Sequence, residues 1–255
     1  METLKKKRVL ITGAAGRIGK ILRTDLAALF DLTLVTDTPI DGLKCQILDV
    51  ANDYQRLRQI IDGHQTVVHL AYLDENDTNT VNFKMAKNIF SVVSQMSPRP
   101  RVIVASSIHV VGAYLDWQKE PLCHITKGQL DKVSQQDLPL ISPGQPRLPN
   151  SFYAAMKCYV EHLGEFYASR GLEVVVLRLG GVRWDNRIES EPGYRSFWLS
   201  RRDCSQIFEK AILAPLKTTY VCVFGVSNNT YRVHDISSAQ KILGYEPLDN
   251  AEFFL

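Results

Sequence analysis

Three glycines at three-residue intervals constrain this chain more than any other feature. Gly13, Gly16 and Gly19 lie in the run Thr12-Gly13-Ala14-Ala15-Gly16-Arg17-Ile18-Gly19, directly after a short apolar stretch at residues 8–12. Residues 17–29 then place Ile18, Ile21, Leu22, Leu26 and Leu29 at helical spacing. Strand, tight turn and helix in that order open a βαβ unit. Gly13 permits the turn, Gly16 lets a ligand approach the backbone, and Gly19 lets the helix pack on the sheet. A helix starting here aims its N–H groups and positive dipole end into the turn, which suits a pyrophosphate.

The rhythm continues along the chain. Strand-like runs at residues 32–36, 45–48, 66–71, 101–105, 173–179 and 220–226 alternate with helical patterns at 54–61, 80–96, 151–170, 201–213 and 237–243. This predicts an α/β fold, a Rossmann-like doubly wound parallel sheet with right-handed crossovers. Two stretches break the alternation. Residues 114–150 carry Pro121, Pro139, Pro143, Pro146 and Pro149, and such a long connection reads as functional or mobile. Residues 180–200 read as a loop beside the active site. The expected organisation is a dinucleotide-binding domain over 1–179, with the 114–150 insertion, and a small substrate-binding portion over 180–255 that partly returns to the sheet.

Composition narrows the class. The 255 residues are 45% apolar and 22% charged, an ordinary balance for a globular enzyme, and the net charge of +3 is too small to point to nucleic acid. Lys5-Lys6-Lys7-Arg8 reads as a solvated start rather than a polybasic anchor. No apolar run is long enough to span a membrane and no leader pattern precedes the first strand, so the expected location is cytoplasmic. The cysteines at 45, 123, 158, 204 and 222 show neither metal-ligand spacing nor a disulfide framework.

The cofactor residues follow from the fold. Ala15, Gly16, Arg17 and Ile18 line or open the phosphate turn. Asp37 ends the second strand, where a carboxylate accepts from ribose hydroxyls and repels a 2′-phosphate; this favours NAD over NADP, despite Arg17 in the turn. Asp49 and Val50 follow the third strand, Asp49 reading equally as an adenine contact or a cap. Leu70 and Ala71 follow His69, itself read as a packed histidine. Asn82, near the start of the long helix, either bends that helix or supports a proton relay.

Tyr153 and Lys157 stand at i and i+4 on one helix face. A tyrosine titrates near 10, about three units too high for a base at neutral pH, and a neighbouring ammonium lowers it by stabilising the phenolate. Ser107 ends the fifth strand, and ligands of doubly wound sheets sit outside such strand ends. Ser107, Tyr153 and Lys157 are therefore the candidate catalytic set, with Tyr153 and Lys157 also touching the cofactor. His109 reads as a substrate contact or a turn residue.

These motifs resemble the extended short-chain dehydrogenase/reductase family, also described as the NAD-dependent epimerase/dehydratase family. The likeness extends most closely to its uronate dehydrogenases and archaeal-type NAD-dependent glucose-6-phosphate dehydrogenases. Four stretches carry it: Ser106-Ser107-Ile108-His109-Val110-Val111-Gly112-Ala113-Tyr114, Tyr194-Arg195-Ser196-Phe197-Trp198-Leu199-Ser200, Arg202-Asp203-Cys204, and Gly244-Tyr245-Glu246-Pro247-Leu248-Asp249-Asn250-Ala251-Glu252. The resemblance implies oxidation of a cyclic sugar at C1 to a lactone with NAD, substrate contacts from Ser107, Ile108, His109, Tyr153 and Arg195, and no metal. Arg195 would pair with an anionic end of the sugar. The helices at 80–96 and 151–170 resemble the pair that forms a dimer interface, implying a homodimer or higher homo-oligomer. The chain departs from these relatives at Ile108, where they usually have Asn. Gly181 stands where the uronate dehydrogenases have Ser, and Ala71-Tyr72-Leu73-Asp74 where they have Gly-Gly-Ile-Ser. A nucleotide-sugar epimerase is the alternative enzyme, although residues 180–255 leave little room for a nucleotide. A non-catalytic NAD-binding sensor is the alternative of another class, although such proteins tend to lose the Tyr or Lys present here.

Overall fold

A strand buried on both faces is mostly apolar, and the central strands of this chain are built largely of Val, Ile and Leu, with Thr66, His69 and Arg178 as buried polar exceptions. In the computed structural model, which describes residues 6–73, 79–191 and 193–254, β4 (Thr66–His69) and β6 (Val174–Leu179) are buried at every position. They belong to a seven-stranded sheet with β1 (Arg8–Thr12), β2 (Asp31–Thr36), β3 (Gln46–Ile47), β5 (Arg101–Ser107) and β9 (Tyr220–Gly225), in the order β3-β2-β1-β4-β5-β6-β9. The β1–β2, β2–β3, β1–β4 and β4–β5 pairs are parallel. The order reverses between β1 and β4, and ligands of doubly wound sheets bind beyond strand ends at that point. The doubly wound α/β expectation therefore holds.

The chain divides into two compact units. The first comprises residues 1–105, 159–176 and 216–221; the second comprises 106–158, 177–215 and 222–255. In the first, α1 (Arg17–Asp25), α2 (Tyr54–Ile61) and α3 (Asn79–Ser94) connect the strands. The first helix is shorter than its hydrophobic spacing suggests, because Leu26 closes it with a last backbone bond to Leu22 and exposed Leu29 turns back towards β2. The buried His64 links α2 to β2: its Nδ1 meets the Ile61 carbonyl at 3.0 Å and its Nε2 meets Thr33 Oγ1 at 2.8 Å. A carbonyl only accepts, so Nδ1 carries the proton and Nε2 accepts from Thr33.

The second unit holds α4 (Leu122–Thr126), the first half of α5 (Phe152–Ala168), α6 (Tyr194–Phe197), α7 (Arg201–Leu213) and α8 (Ser237–Leu243). A small parallel pair, β7 (Gly181–Val182) with β8 (Trp198–Leu199), replaces part of the loop expected over 180–200. The Pro-rich connection is likewise more structured than its composition suggests. It places Leu115, Leu122, Ile125, Leu138 and Ile141 in an apolar cluster with Phe197, Trp198 and Phe224. Ile141 also exchanges backbone bonds with the Val233–Asp235 segment. Its apolar residues are spaced irregularly between prolines, so no helix or strand period betrays their burial. Lys5 lies outside the described residues, and among those described no helix is long and apolar enough to cross a membrane.

Burial pushes the titration of His64 below its ordinary 6.5, outweighing the Ile61 carbonyl that favours the charged ring. Below pH 6.5 the unfolded chain therefore binds a proton that the folded chain does not. The stability of a neutral His64 is present above 6.5 and is lost as pH falls. The urea midpoint is expected to drop between pH 7.5 and 5.5, with a shallower drop in His64→Gln.

Candidate active site

The phosphate turn is built by backbone contact. Gly13 has φ +67°, and a Cβ there would lie 2.7–2.9 Å from the backbone of Leu70 and Ala71. A Cβ at Gly19 would lie 2.5–2.7 Å from Gly13 and Ala14, so this glycine seats the helix on the turn itself rather than on the sheet. Gly16 is the N-cap of α1, with no side-chain cap and no acid in the first turn. The helix end is thus left to accept an anion. Thr12 fastens the turn to β4: its Oγ1 meets His69 Nδ1 at 2.8 Å and accepts from the Leu70 and Ala71 amides at 3.3 Å. His69 is packed, as its surroundings in the sequence suggest.

A cavity of about 750 Å³ opens beyond these strand ends, within the first unit. Gly13, Ala15, Gly16, Asp37, Asp49, Val50, Leu70 and Ala71 line it, and each is a cofactor residue expected from the sequence. Arg17, Ile18, Gly19 and Asn82 are not part of its wall. Arg17 is exposed. Asn82 is buried and spends its amide on Leu73, accepting from the Leu73 N–H and donating to its carbonyl, both at 2.9 Å. It shapes the cavity through Leu73, which does line it. Asp49 accepts from the Ala51 and Asn52 amides and from Asn52 Nδ2, and these bonds, the side chain of Asn52 foremost, hold its carboxyl below the usual range. It is a turn cap that also faces the cavity. Thr36, Tyr72 and Met85 join the wall without any signal in the sequence. Asp74 lies outside the described residues.

The Tyr153 set lies in the second unit. Lys157 is 8% exposed, with its Nζ 5.5 Å from the centroid of the half-buried Tyr153 ring. Ser107 is buried and caps the short 3₁₀ segment Ile108–Tyr114, its Oγ accepting from the His109 amide at 3.2 Å. The His109 ring packs edge-on against Tyr153 and Phe197, with centroids 6.3 Å apart in both pairs. Asn150, which closes the Pro-rich connection, holds His109 twice: by its own amide to the His109 carbonyl (3.4 Å) and by Nδ2 to the ring Nδ1 (3.3 Å). Nothing in the sequence singled out Asn150.

A second cavity, of about 390 Å³, lies beside His109. Ile108, Gly112, Trp117, Gln118, Thr126, Asn150, Glu191, Phe197 and His234 complete its principal lining. Arg195 is not in the wall; it pairs with Glu252 at 3.2 Å, both side chains mostly buried. At Gly181 a Cβ would fall 2.5–2.7 Å from the Tyr194 ring, so the phenol fills the space that a side chain at 181 would need.

The comparisons with known proteins agree with this architecture. The model of the NAD dependent epimerase/dehydratase family matches residues 9–183, and the chain belongs to that family. An L-arabinose 1-dehydrogenase (NAD(P)(+)) from Haloferax volcanii is 31% identical, over 96% of this chain and 97% of its own. An NAD-dependent glucose-6-phosphate dehydrogenase from the same organism is 28% identical, over 96% and 95%. The crystal structure of uronate dehydrogenase from Agrobacterium tumefaciens superposes with a TM-score of 0.79 at 27% identity, covering 97% of this chain and 86% of that one. The chain is thus an NAD-dependent oxidoreductase among sugar dehydrogenases.

A side chain at Gly13 would push the turn off the Leu70–Ala71 backbone that lines the same cavity. Gly13→Ala is expected to weaken NAD binding at least tenfold by calorimetric titration. The left-handed strain alone is worth roughly 1–2 kcal/mol, or about 2–8 °C in Tm. Gly42, at φ +72° with nothing within 4 Å, supplies the control: Gly42→Ala carries the strain without the clash and leaves NAD affinity unchanged.

Proposed function

We propose that this protein oxidises a cyclic sugar at C1 to the lactone, with Tyr153 as general base. The arrangement that carries this reading is the buried Lys157 ammonium beside the Tyr153 ring. A fixed positive charge stabilises the phenolate and brings tyrosine towards the pH at which it can take a proton. NAD supplies the hydride acceptor. Tyr153 Oη takes the proton of the C1 hydroxyl as the C1–H bond breaks, and the C1–O bond becomes the lactone carbonyl. Ser107 Oγ already accepts from the His109 amide, so its O–H is left to donate to the sugar oxygen and hold it against Tyr153. His109, kept in place by Asn150, packs one edge of the phenol.

On the cofactor side, Asp37 selects NAD by accepting from the adenosine ribose hydroxyls, and Gly16 with the open end of α1 receives the pyrophosphate. The family resemblance also supports a homodimer joined through α3 and α5. The dehydrogenase relatives extend over nearly the whole chain, which favours net oxidation over epimerisation.

Growth of absorbance at 340 nm on mixing protein, NAD and a sugar tests the reading. Tyr153→Phe is expected to lower kcat/KM by about 10²–10⁴ while NAD binding survives. Turnover of NAD by Tyr153→Phe at the wild-type rate would falsify the assignment. Asp37→Ala is expected to lower the preference for NAD over NADP at least tenfold, about 1.4 kcal/mol, read from the ratio of kcat/KM values.

A further inference from the structure

This inference rests on the sugar-dehydrogenase reading and narrows it. We propose that the cavity beside His109 is the sugar site, and that it takes a neutral monosaccharide in preference to a uronate or a sugar phosphate.

At about 390 Å³ the cavity falls at the small end of the range for small-molecule sites, suited to a single sugar ring. Trp117 and Phe197 give it apolar walls, their rings edge to face with centroids 6.3 Å apart. Gln118, Thr126 and Asn150 give it uncharged hydrogen-bonding groups. His234 adds an observation of another kind. Its side chain is completely buried, it lines the cavity, and neither ring nitrogen has a hydrogen-bond partner within the protein. Buried polar groups are rarely left so. A neutral imidazole presents one donor and one acceptor, the pair that a sugar hydroxyl complements. Burial pushes the titration of His234 down to about 3, with His109, Arg178 and Arg232 adding to the effect, so the ring is neutral at any working pH. It offers hydroxyl recognition and no positive charge.

Charge then decides between sugars. Glu191 is the one acidic side chain among the described residues of the wall, and those residues include no lysine or arginine. Arg195 is ion-paired with Glu252, and Arg178 and Arg232 stay behind the wall, hydrogen-bonded to the Pro143 carbonyl and Asn228 Oδ1. A carboxylate or phosphate entering here would meet Glu191 with no lysine or arginine of the wall to pair with directly. The expectation that Arg195 greets an anionic substrate is replaced by a pocket that disfavours one.

The test is a matched panel of neutral pentoses and hexoses, their uronates, and glucose 6-phosphate, each assayed for NAD reduction. The best neutral aldose is expected to exceed every anionic sugar at least tenfold in kcat/KM. Preference for a uronate or sugar phosphate overturns the inference while upholding the dehydrogenase; no reduction with any sugar overturns both. Glu191 is exposed, so Glu191→Arg tests the cavity without endangering the fold. It is expected to shift the uronate-to-aldose ratio at least tenfold towards the uronate, and an unchanged ratio overturns the placement of the sugar in this cavity.

Discussion

A carboxylate sealed from water organises the second unit. Asp203, in the first turn of α7, has no exposed surface. It accepts from Ser227 Oγ at 2.6 Å and from the amides of Leu248 and Asp249 at 2.9 and 3.1 Å, while its own amide donates to the Ser200 cap. Burial raises its titration above the usual carboxylate range, and these bonds work against that shift. The C-terminal stretch after α8 has little regular structure of its own and is held by such bonds. Arg202 pairs with Asp249, the Tyr245 hydroxyl donates to the Val226 carbonyl, and Glu252 reaches Arg195 on α6. Three of the four stretches that carry the family resemblance are therefore joined by one network. Removing the carboxylate would leave several buried donors without acceptors, a far larger loss than that of one surface ion pair.

The two units were unequally legible in the sequence. The first could be read almost residue by residue, because its chemistry is local. A glycine turn, an acid at a strand end and a strand–helix period are each contained within a dozen residues. Eight expected cofactor residues meet in one cavity for that reason. Asn82 was visible as a helix asparagine, but its two bonds to Leu73 depend on a backbone segment nine positions earlier that no period reveals.

The second unit resisted such reading because its cavity is assembled from residues around 108–126, 150, 191–197 and 234. Trp117, Asn150 and His234 belong to no shared motif. Tyr153, Lys157 and Ser107 were legible as a helix pair and a strand end, yet the residue that holds His109 against Tyr153 lies at the far end of a Pro-rich connection. Arg195 shows the same limit from the other side. Its residue type and motif suggest an anion contact, while its partner in the structure, Glu252, stands 57 positions away, where no local pattern points to it.

The contact between Gly181 and Tyr194 bears on how either position could change in this lineage or in the laboratory. A serine at 181 would place its Cβ 2.5–2.7 Å from the outer atoms of the Tyr194 ring, so the ring would have to move to admit it. Shrinking position 194 instead would empty space in the apolar cluster that Tyr194 helps to fill. The two residues are thus a single heritable choice. A one-letter path between the two arrangements passes through either a displaced ring or a void, which a paired exchange relieves together.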